Sequence, residues 1–410
     1  MESFLFPKKK RGFIMKKNLY LNYIFEFLLN FRLTSLLWPT FLIVKGFSLI
    51  DVGICESLFH ITSVLGEMPT GIISDLYGRR LSRLLGRITD IVSILLLMMA
   101  QSEWLIYLSF ILSALSYTME SGTDSAYVYD LLMETSEQDT FAKIQGRREA
   151  VIQIAILLAT TIGGMIAGLS YQLTYGLSIL VVMISICVLM QMKEIKNQDY
   201  VKTNILNDMK QQIVMSYQMI QKDHQIFYLI LSTSLFSATL TTCYYYLTNY
   251  WSELGISISS ISIFLALENI AGMIAGILTY RILKKYSQKT LLIVLPIGII
   301  ISVIGIPFYP ISILAICTMA FFESILYIAM TTFLNEKVES HLRATLLSVL
   351  SLGFSLAMII YFPLVGLIGE LFGLKIAYIT LFVIVCIIYL IYQYVIRKQY
   401  IDCSLEKHNE

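Results

Sequence analysis

The chain has 410 residues, of which 57% are hydrophobic and only 14% are charged. Soluble domains are usually about 45–50% apolar and about 25% charged, so this composition excludes a water-soluble globular protein. The formal net charge of +2 says little about partners, although the positions of the charges are informative. The six cysteines form no C-x-x-C pair, so we predict neither disulfides nor a zinc site.

Apolar runs along the whole chain are long enough to cross a bilayer as helices, since a span needs about 20 apolar residues. They lack the alternation that is typical of an outer-membrane barrel strand. We therefore predict an all-α polytopic membrane protein with twelve transmembrane helices. The predicted spans are 19–44, 49–71, 82–100, 104–127, 149–169, 173–192, 225–247, 258–280, 289–306, 311–334, 344–365 and 373–396.

Lysine and arginine are concentrated in one set of loops. Of the 30 such residues, only Lys45 and Lys375 fall in the opposite loops, and Arg32 lies within span 1. By the positive-inside rule, both termini are predicted to be cytoplasmic. The predicted location is the cytoplasmic membrane of a bacterium.

Two weak internal echoes indicate that the chain is a duplicated unit. Gly71–Arg80 resembles Gly276–Lys285, and the pair Glu120-Ser121 resembles the pair Glu323-Ser324. Since the order is preserved, we predict two pseudo-symmetric six-helix bundles. The predicted organisation is a basic tail at 1–18, a first bundle at 19–192, a cytoplasmic linker at 193–224, a second bundle at 225–396 and a cytoplasmic tail at 397–410.

The most specific motif follows span 2 and places Gly71, Asp75, Gly78, Arg79 and Arg80 at fixed spacing. Gly71 is predicted to allow a close approach of helices, and Gly78 a tight turn. Asp75 lies where it can meet a helix N-terminus or an arginine.

This spacing resembles the signature of the major facilitator superfamily, Gly-x-x-x-Asp-x-x-Gly-Arg-Arg/Lys, and the resemblance extends over the whole chain. It implies that family's fold, alternating access to a small solute, and no cofactor. In the family this turn latches the two halves on the cytoplasmic side. By the resemblance, Asp75 would face the region near Arg343, Arg79 would face Asp130, and Arg147 would join the cluster.

Ionisable groups inside a bilayer are expensive and are therefore functional candidates. The resemblance implies that spans 1, 4, 7 and 10 line the cavity, which favours Glu26, Arg32, Glu120 and Glu323. The full candidate set for solute or proton binding is Glu26, Asn30, Arg32, Glu67, Glu120, Asp124, Glu268, Glu323, Tyr245 and Asn249. The alternative for the charged members is a salt bridge that only holds helices together. Asp90, one turn from Arg87, is predicted to form such a structural ion pair.

The Glu67–Gly71 start of the motif resembles that of bacterial members of the superfamily often labelled as drug or metabolite efflux proteins. The leading functional prediction is therefore proton-coupled efflux, by antiport, of a small amphipathic drug or metabolite. One of Glu26, Glu67, Glu120 or Glu323 would carry the proton. Two departures from the drug-exporter branch leave the direction open: span 4 lacks that branch's arginine, and Thr161–Gly168 lacks its proline. The alternatives are uptake of a nutrient, vitamin or organic anion, which Arg32 would suit, and, more remotely, a non-transporting membrane sensor.

Enzymatic function is not predicted, because the sequence has no Walker loop, no H-E-x-x-H and no G-x-S-x-G motif. The predicted partners are a small solute, protons and the lipid bilayer, with no nucleic acid. A monomer is predicted to be sufficient for function.

Overall fold

The structure, a computed structural model, describes residues 8–121, 123–133, 140–194, 224–337 and 343–406. These ranges contain helices and no strands. The helices of the first half are α1 (Lys8–Asn30), α2 (Trp38–Val44), α3 (Leu49–Tyr77), α4 (Arg79–Met99), α5 (Glu103–Glu120), α6 (Thr123–Met133), α7 (Phe141–Ala167) and α8 (Tyr171–Met190). Those of the second half are α9 (His224–Glu253), α10 (Ile258–Lys285), α11 (Gln288–Gly305), α12 (Ile311–Lys337), α13 (Arg343–Phe372) and α14 (Leu374–Glu406).

Eight of the described helices are long and apolar enough to cross a membrane, namely α3, α7, α8, α9, α10, α12, α13 and α14. Helix α11 is apolar but shorter. Many large apolar side chains on the helices are exposed, for example Met99 at 72% and Ile277 at 76%. Exposed apolar surface of this extent marks contact with lipid or another protein, and helices long enough to span a bilayer favour lipid.

Predicted span 1 is interrupted. Helix α1 ends at Asn30 and α2 begins at Trp38, with turns between them. Pro39 lies in the first turn of α2, where its missing N–H costs no helical hydrogen bond. The interruption therefore separates two helices within one predicted span and contains Arg32.

Predicted span 4 is interrupted as well. Helix α5 ends at Glu120 and α6 begins at Thr123. Ser121 has φ −54° and ψ 130°, which are not helical angles. Glycine is a poor helix former, so the Ser121-Gly122 step is a natural place for a helix to stop. The fourteen helices in the described ranges thus account for the predicted spans, two of which are divided.

The chain divides into two compact units. Unit 1 comprises Met1–Trp38 and Leu58–Lys202, and unit 2 comprises Pro39–Ser57 and Thr203–Glu410. The segment Pro39–Ser57 was predicted to belong to the first bundle, and the structure assigns it to the second unit. Most of the predicted linker 193–224 lies outside the described residues.

The assignment of Pro39–Ser57 to unit 2 has a clear physical basis in close backbone contacts. A Cβ atom on Gly53 would lie 2.6 Å from Cα of Pro363, and one on Gly366 would lie 2.3 Å from the carbonyl oxygen of Leu49. The backbone N–H of Leu49 also donates to Oε2 of Glu370 at 2.9 Å. Glycine permits these approaches, which tie the start of α3 to α13.

Candidate functional site

Helix α4 carries its polar residues on its buried side. Its buried residues are Ser82, Arg83, Gly86, Arg87, Asp90, Ser93 and Leu97. Its exposed large side chains are Leu81, Leu85, Ile88, Val92, Leu95 and Met99. This inverted pattern is expected of a helix whose outer surface meets lipid and whose inner surface carries function.

The arginines of α4 belong to an alternating row of seven charged side chains in unit 1, which we call the charge chain. Its members are, in order, Arg148, Glu26, Arg83, Glu120, Arg87, Asp90 and Arg32. The successive N–O distances are 3.5, 3.3, 3.7, 3.1, 3.1 and 3.6 Å. Each carboxylate therefore lies between two guanidinium groups, and an arginine stands at each end.

The side chains at the centre of the charge chain are buried. The side chain of Arg83 is 0% exposed and that of Glu26 is 1% exposed. The Arg83 guanidinium lies 4.9 Å from the ring centroid of Phe25 and 5.3 Å from that of Tyr127. Its Nη1 also donates a hydrogen bond to Oδ1 of Asn22 at 2.9 Å. Aromatic faces and neutral acceptors thus supplement the ion pairs that stabilise this cation.

The structure brings three of the predicted candidates together in this row: Glu26, Arg32 and Glu120. Asn30 is one turn from Glu26, as its spacing predicted, but its amide donates to the backbone carbonyl of Glu26, at 2.9 Å. The predicted structural pair of Arg87 with Asp90 is confirmed at 3.1 Å.

The sequence interpretation missed Arg83 and Arg148 as buried members, because it assigned them to the positive-inside pattern, and it paired Arg87 with Asp90 without placing that pair in a longer row. One signal was present for Arg83 and Arg87. Arg83, Arg87 and Asp90 recur at helical spacing on one side of α4. The large side chains between them are the apolar Leu84, Leu85 and Ile88. That period distinguishes a buried polar face from a loop anchor.

Unit 2 holds a different arrangement of carboxylates. Glu268 on α10 is buried, and Glu323 lies on α12, the helix that packs against α10. Glu323 accepts a hydrogen bond from the hydroxyl of Ser237 on α9. Among the described residues, neither carboxylate forms an ion pair with a cation. We call these two residues the carboxylate pair.

The helices that carry the carboxylate pair pack closely. A Cβ atom on Gly272 would lie 3.3 Å from Oγ of Ser324, which follows Glu323 directly. Gly272 is one turn beyond Glu268 on α10, so the small residue allows α12 to approach beside the carboxylate.

The predicted aromatic candidates lie on α9. The ring of Tyr245 is 5.4 Å from that of Tyr244 and 5.9 Å from that of Phe362, both edge-on. Asn249 is 3% exposed, and neither polar atom of its amide has a hydrogen-bond partner among the described residues. Glu67, on α3 of unit 1, is exposed and is not a member of the charge chain.

The turn at Gly78, which follows α3 and belongs to the motif Gly71–Arg80, agrees in part with the prediction. Gly78 has φ +107°, a conformation that L side chains rarely adopt, so the predicted tight turn is confirmed. Nε of Arg79 lies 3.4 Å from Oδ2 of Asp130, the contact that the resemblance implied. Oε1 of Glu194 accepts from the backbone N–H of Arg80 at 3.1 Å. This carboxylate at the start of α4 was not predicted from the sequence, and it suits the positive end of a helix.

The close approach predicted for Gly71 stays a prediction. Within the part of the chain that the structure describes, a Cβ atom on Gly71 would meet nothing within 4 Å. Arg147 is exposed, whereas its neighbour Arg148 is buried in the charge chain. The predicted contact of Asp75 with the region of Arg343, and the side chain of Asp124, lie outside the described residues.

The described chain is helical, forms two compact units and buries charges inside its spans. These features are typical of a polytopic transporter. The sequence pattern that defines the Major Facilitator Superfamily matches residues 19–349. The chain belongs to this superfamily.

Relatives and solved structures agree with the family. The chain is 24% identical over 394 residues to the "Uncharacterized MFS-type transporter YxaM" of Bacillus subtilis (strain 168), covering 92% of this chain and 95% of that protein. The fold is similar to that of the nucleoside transporter NupG, with a TM-score of 0.77, 12% identity, and coverage of 93% and 99% of the two chains. A D-xylose-proton symporter gives a TM-score of 0.70, with 14% identity and coverage of 92% and 96%. Identities this low support the fold alone.

Proposed function

We propose that the chain is a proton-coupled secondary transporter that exports a small amphipathic solute by antiport, with the carboxylate pair as its proton site. The observation that carries this proposal is the contrast between the two units. In the charge chain, each carboxylate has two arginine neighbours. In the carboxylate pair, the described residues provide no cation.

The contrast matters because an ionised carboxylate removed from water is costly unless a cation or several donors compensate it. Glu26, Asp90 and Glu120 have that compensation from arginines, which suits a structural role. Glu268 and Glu323 have no such compensation from an arginine among the described residues, and the hydroxyl of Ser237 donates one hydrogen bond to Glu323. A transferable proton is the counter-charge that we assign to them.

The experiment is solute-driven proton movement in proteoliposomes that contain the pH indicator pyranine. Taurocholate serves as an amphipathic probe, and uridine and D-xylose serve as neutral probes. We expect at least one probe to change the internal pH, and Glu268→Gln and Glu323→Gln to abolish that change. Glu103→Gln, at an exposed position at the start of α5, is the matched control and should behave as wild type. Solute transport with no proton movement would contradict the coupling.

Export is proposed first because the Glu67-Met68-Pro69-Thr70-Gly71 start of the motif looks like that of bacterial members labelled as efflux proteins. Import by symport is the second candidate, and the partly exposed guanidinium of Arg32, which would suit an anionic nutrient, favours it. The two directions give opposite results in one assay. An outward-directed pH gradient, acidic inside, drives solute out by symport, whereas it drives solute in by antiport.

A further inference from the structure

We propose that Arg32 binds the anionic group of the transported solute, a carboxylate or a phosphate, so that the substrate class is organic anions. This inference rests on the proposed transport function and specifies its solute. It starts from the charge chain, which ends at Arg32.

Arg32 has fewer charged partners than the arginines inside the charge chain. Arg83 and Arg87 each contact two carboxylates. Among the described residues, Arg32 forms an ion pair only with Asp90, at 3.6 Å. The oxygen concerned, Oδ2, is also the acceptor of a hydrogen bond from Nη1 of Arg87 at 3.1 Å. Asp90 is therefore held mainly by Arg87, and the guanidinium of Arg32 keeps donors for another anion.

Arg32 is also the accessible end of the row. Its side chain is 35% exposed, compared with 1% for Arg87 and 0% for Arg83. It lies in the interruption after α1, where the backbone is not helical. A cation just beyond the C-terminal end of a helix is favoured by the helix dipole, which holds Arg32 in place without supplying a bidentate partner. A planar guanidinium in that setting is suited to a carboxylate or phosphate.

The surroundings of Arg32 suit the remainder of an amphipathic anion. Arg32 interacts electrostatically with Tyr117 and Glu120 as well as with Asp90. Tyr117 is 47% exposed and contacts the ring of Phe59, with centroids 5.7 Å apart. The partly exposed ring of Tyr117, which packs on Phe59, provides an apolar surface within electrostatic range of the cation.

The test measures binding to the purified full chain, without transport, as the thermal stabilisation that a ligand produces. The probes are succinate and glycerol 3-phosphate, at constant ionic strength, with succinamide and glycerol as their neutral counterparts. We expect at least one anion to raise Tm by about 2 °C or more, while neither neutral compound does. A shift with succinate alone identifies a carboxylate site, and a shift with glycerol 3-phosphate alone identifies a phosphate site.

Variants separate anion binding from a structural role. Arg32→Gln should abolish the shift, and Arg32→Lys should keep part of it. Asp90→Asn removes the competing carboxylate and should therefore raise the apparent affinity for the anion about threefold or more. A purely structural pair of Arg32 with Asp90 would give no such gain. Lys45→Gln, in a loop outside the charge chain, is the matched control and should retain the wild-type shift.

The proposal is overturned if no anion stabilises the wild type beyond its neutral counterpart, or if Arg32→Gln keeps the full shift. Failure of the proton proposal is distinguishable from this outcome. In that case the anion would still bind to the purified chain, but Glu268→Gln and Glu323→Gln would leave proton movement unchanged in proteoliposomes.

Discussion

Buried arginine and carboxylate side chains in unit 1 hold one another in place. Each interior arginine has two acidic neighbours, and each acid has two arginines. Replacing one interior member therefore leaves its two neighbours without a compensating charge. Such a loss is costly, because an unpaired buried charge cannot be solvated.

Among the single residues of the charge chain, Arg83 is the one whose substitution we expect to lower stability most. We expect Arg83→Gln to lower the free energy of unfolding by about 3–5 kcal/mol, because Glu26 and Glu120 both lose a partner. Denaturation of the purified protein in detergent measures the change. Lys143→Gln, at an exposed position on α7, is the control and should change stability by less than about 0.5 kcal/mol. Equal stabilities of the two variants would contradict the structural role of the charge chain.

The identities of the functional residues were only partly predictable from the sequence. Glu26, Arg32 and Glu120 could be nominated because charge is rare inside spans. Their partners could not be assigned, since pairing depends on how α1, α4, α5 and α7 pack. Glu194 was not detectable, because a single acid beyond α8 becomes meaningful only when the turn at Gly78 brings the start of α4 beside it.

Helix interruptions are the main feature at the scale of the elements. Most spans were predictable because a segment that crosses a membrane is long and apolar, and α3, α7 to α10 and α12 to α14 have that composition. The interruption after α1 was not predicted, since hydropathy averages over it. The charged helix α4 was predicted as a span, although its polar face was not interpreted as buried.

Gly163 on α7 accommodates the interruption after α1. A Cβ atom at this position would lie 2.2 Å from the carbonyl oxygen of Leu33 and 2.9 Å from its carbonyl carbon. The contact gives a physical role to a glycine of the Thr161–Gly168 run, which lacks the proline typical of drug exporters.

We therefore expect Gly163→Ala to destabilise the protein by about 1–3 kcal/mol, because the backbone of one element must move. The measurement is again unfolding in detergent. Gly176→Ala on α8 is the matched control: its Cβ atom would meet no described residue within 4 Å, and it should be neutral or slightly stabilising. A Gly163→Ala variant as stable as Gly176→Ala would show that the close contact with Leu33 is absent.

At the scale of the whole molecule, the positive-inside pattern predicts that both termini are cytoplasmic. Fusions of a fluorescent protein and of alkaline phosphatase to the C-terminus test this in bacterial cells. We expect fluorescence from the first fusion and no phosphatase activity from the second. The reverse result would contradict the topology and would require an odd number of crossings if the N-terminus remains inside.

The two units carry different chemistry, and this difference is the centre of the account. Unit 1 contains a row of paired charges that suits structure and anion recognition, while unit 2 contains two carboxylates without a cation among the described residues. An internal repeat in the sequence did indicate two related halves. It did not indicate that Glu120 and Glu323, which occupy echoing positions, have opposite surroundings, because the arginines of α4 have no counterpart in the echo.

The most direct test of this account compares exchange with accumulation in the same proteoliposomes, using a solute that the wild-type protein transports. Glu323→Gln removes the proposed proton site and leaves the charge chain intact. We expect this variant to exchange internal for external solute at the wild-type rate, and to lose accumulation driven by a pH gradient. Undiminished pH-driven accumulation in Glu323→Gln and in Glu268→Gln would contradict the assignment of the proton to the carboxylate pair.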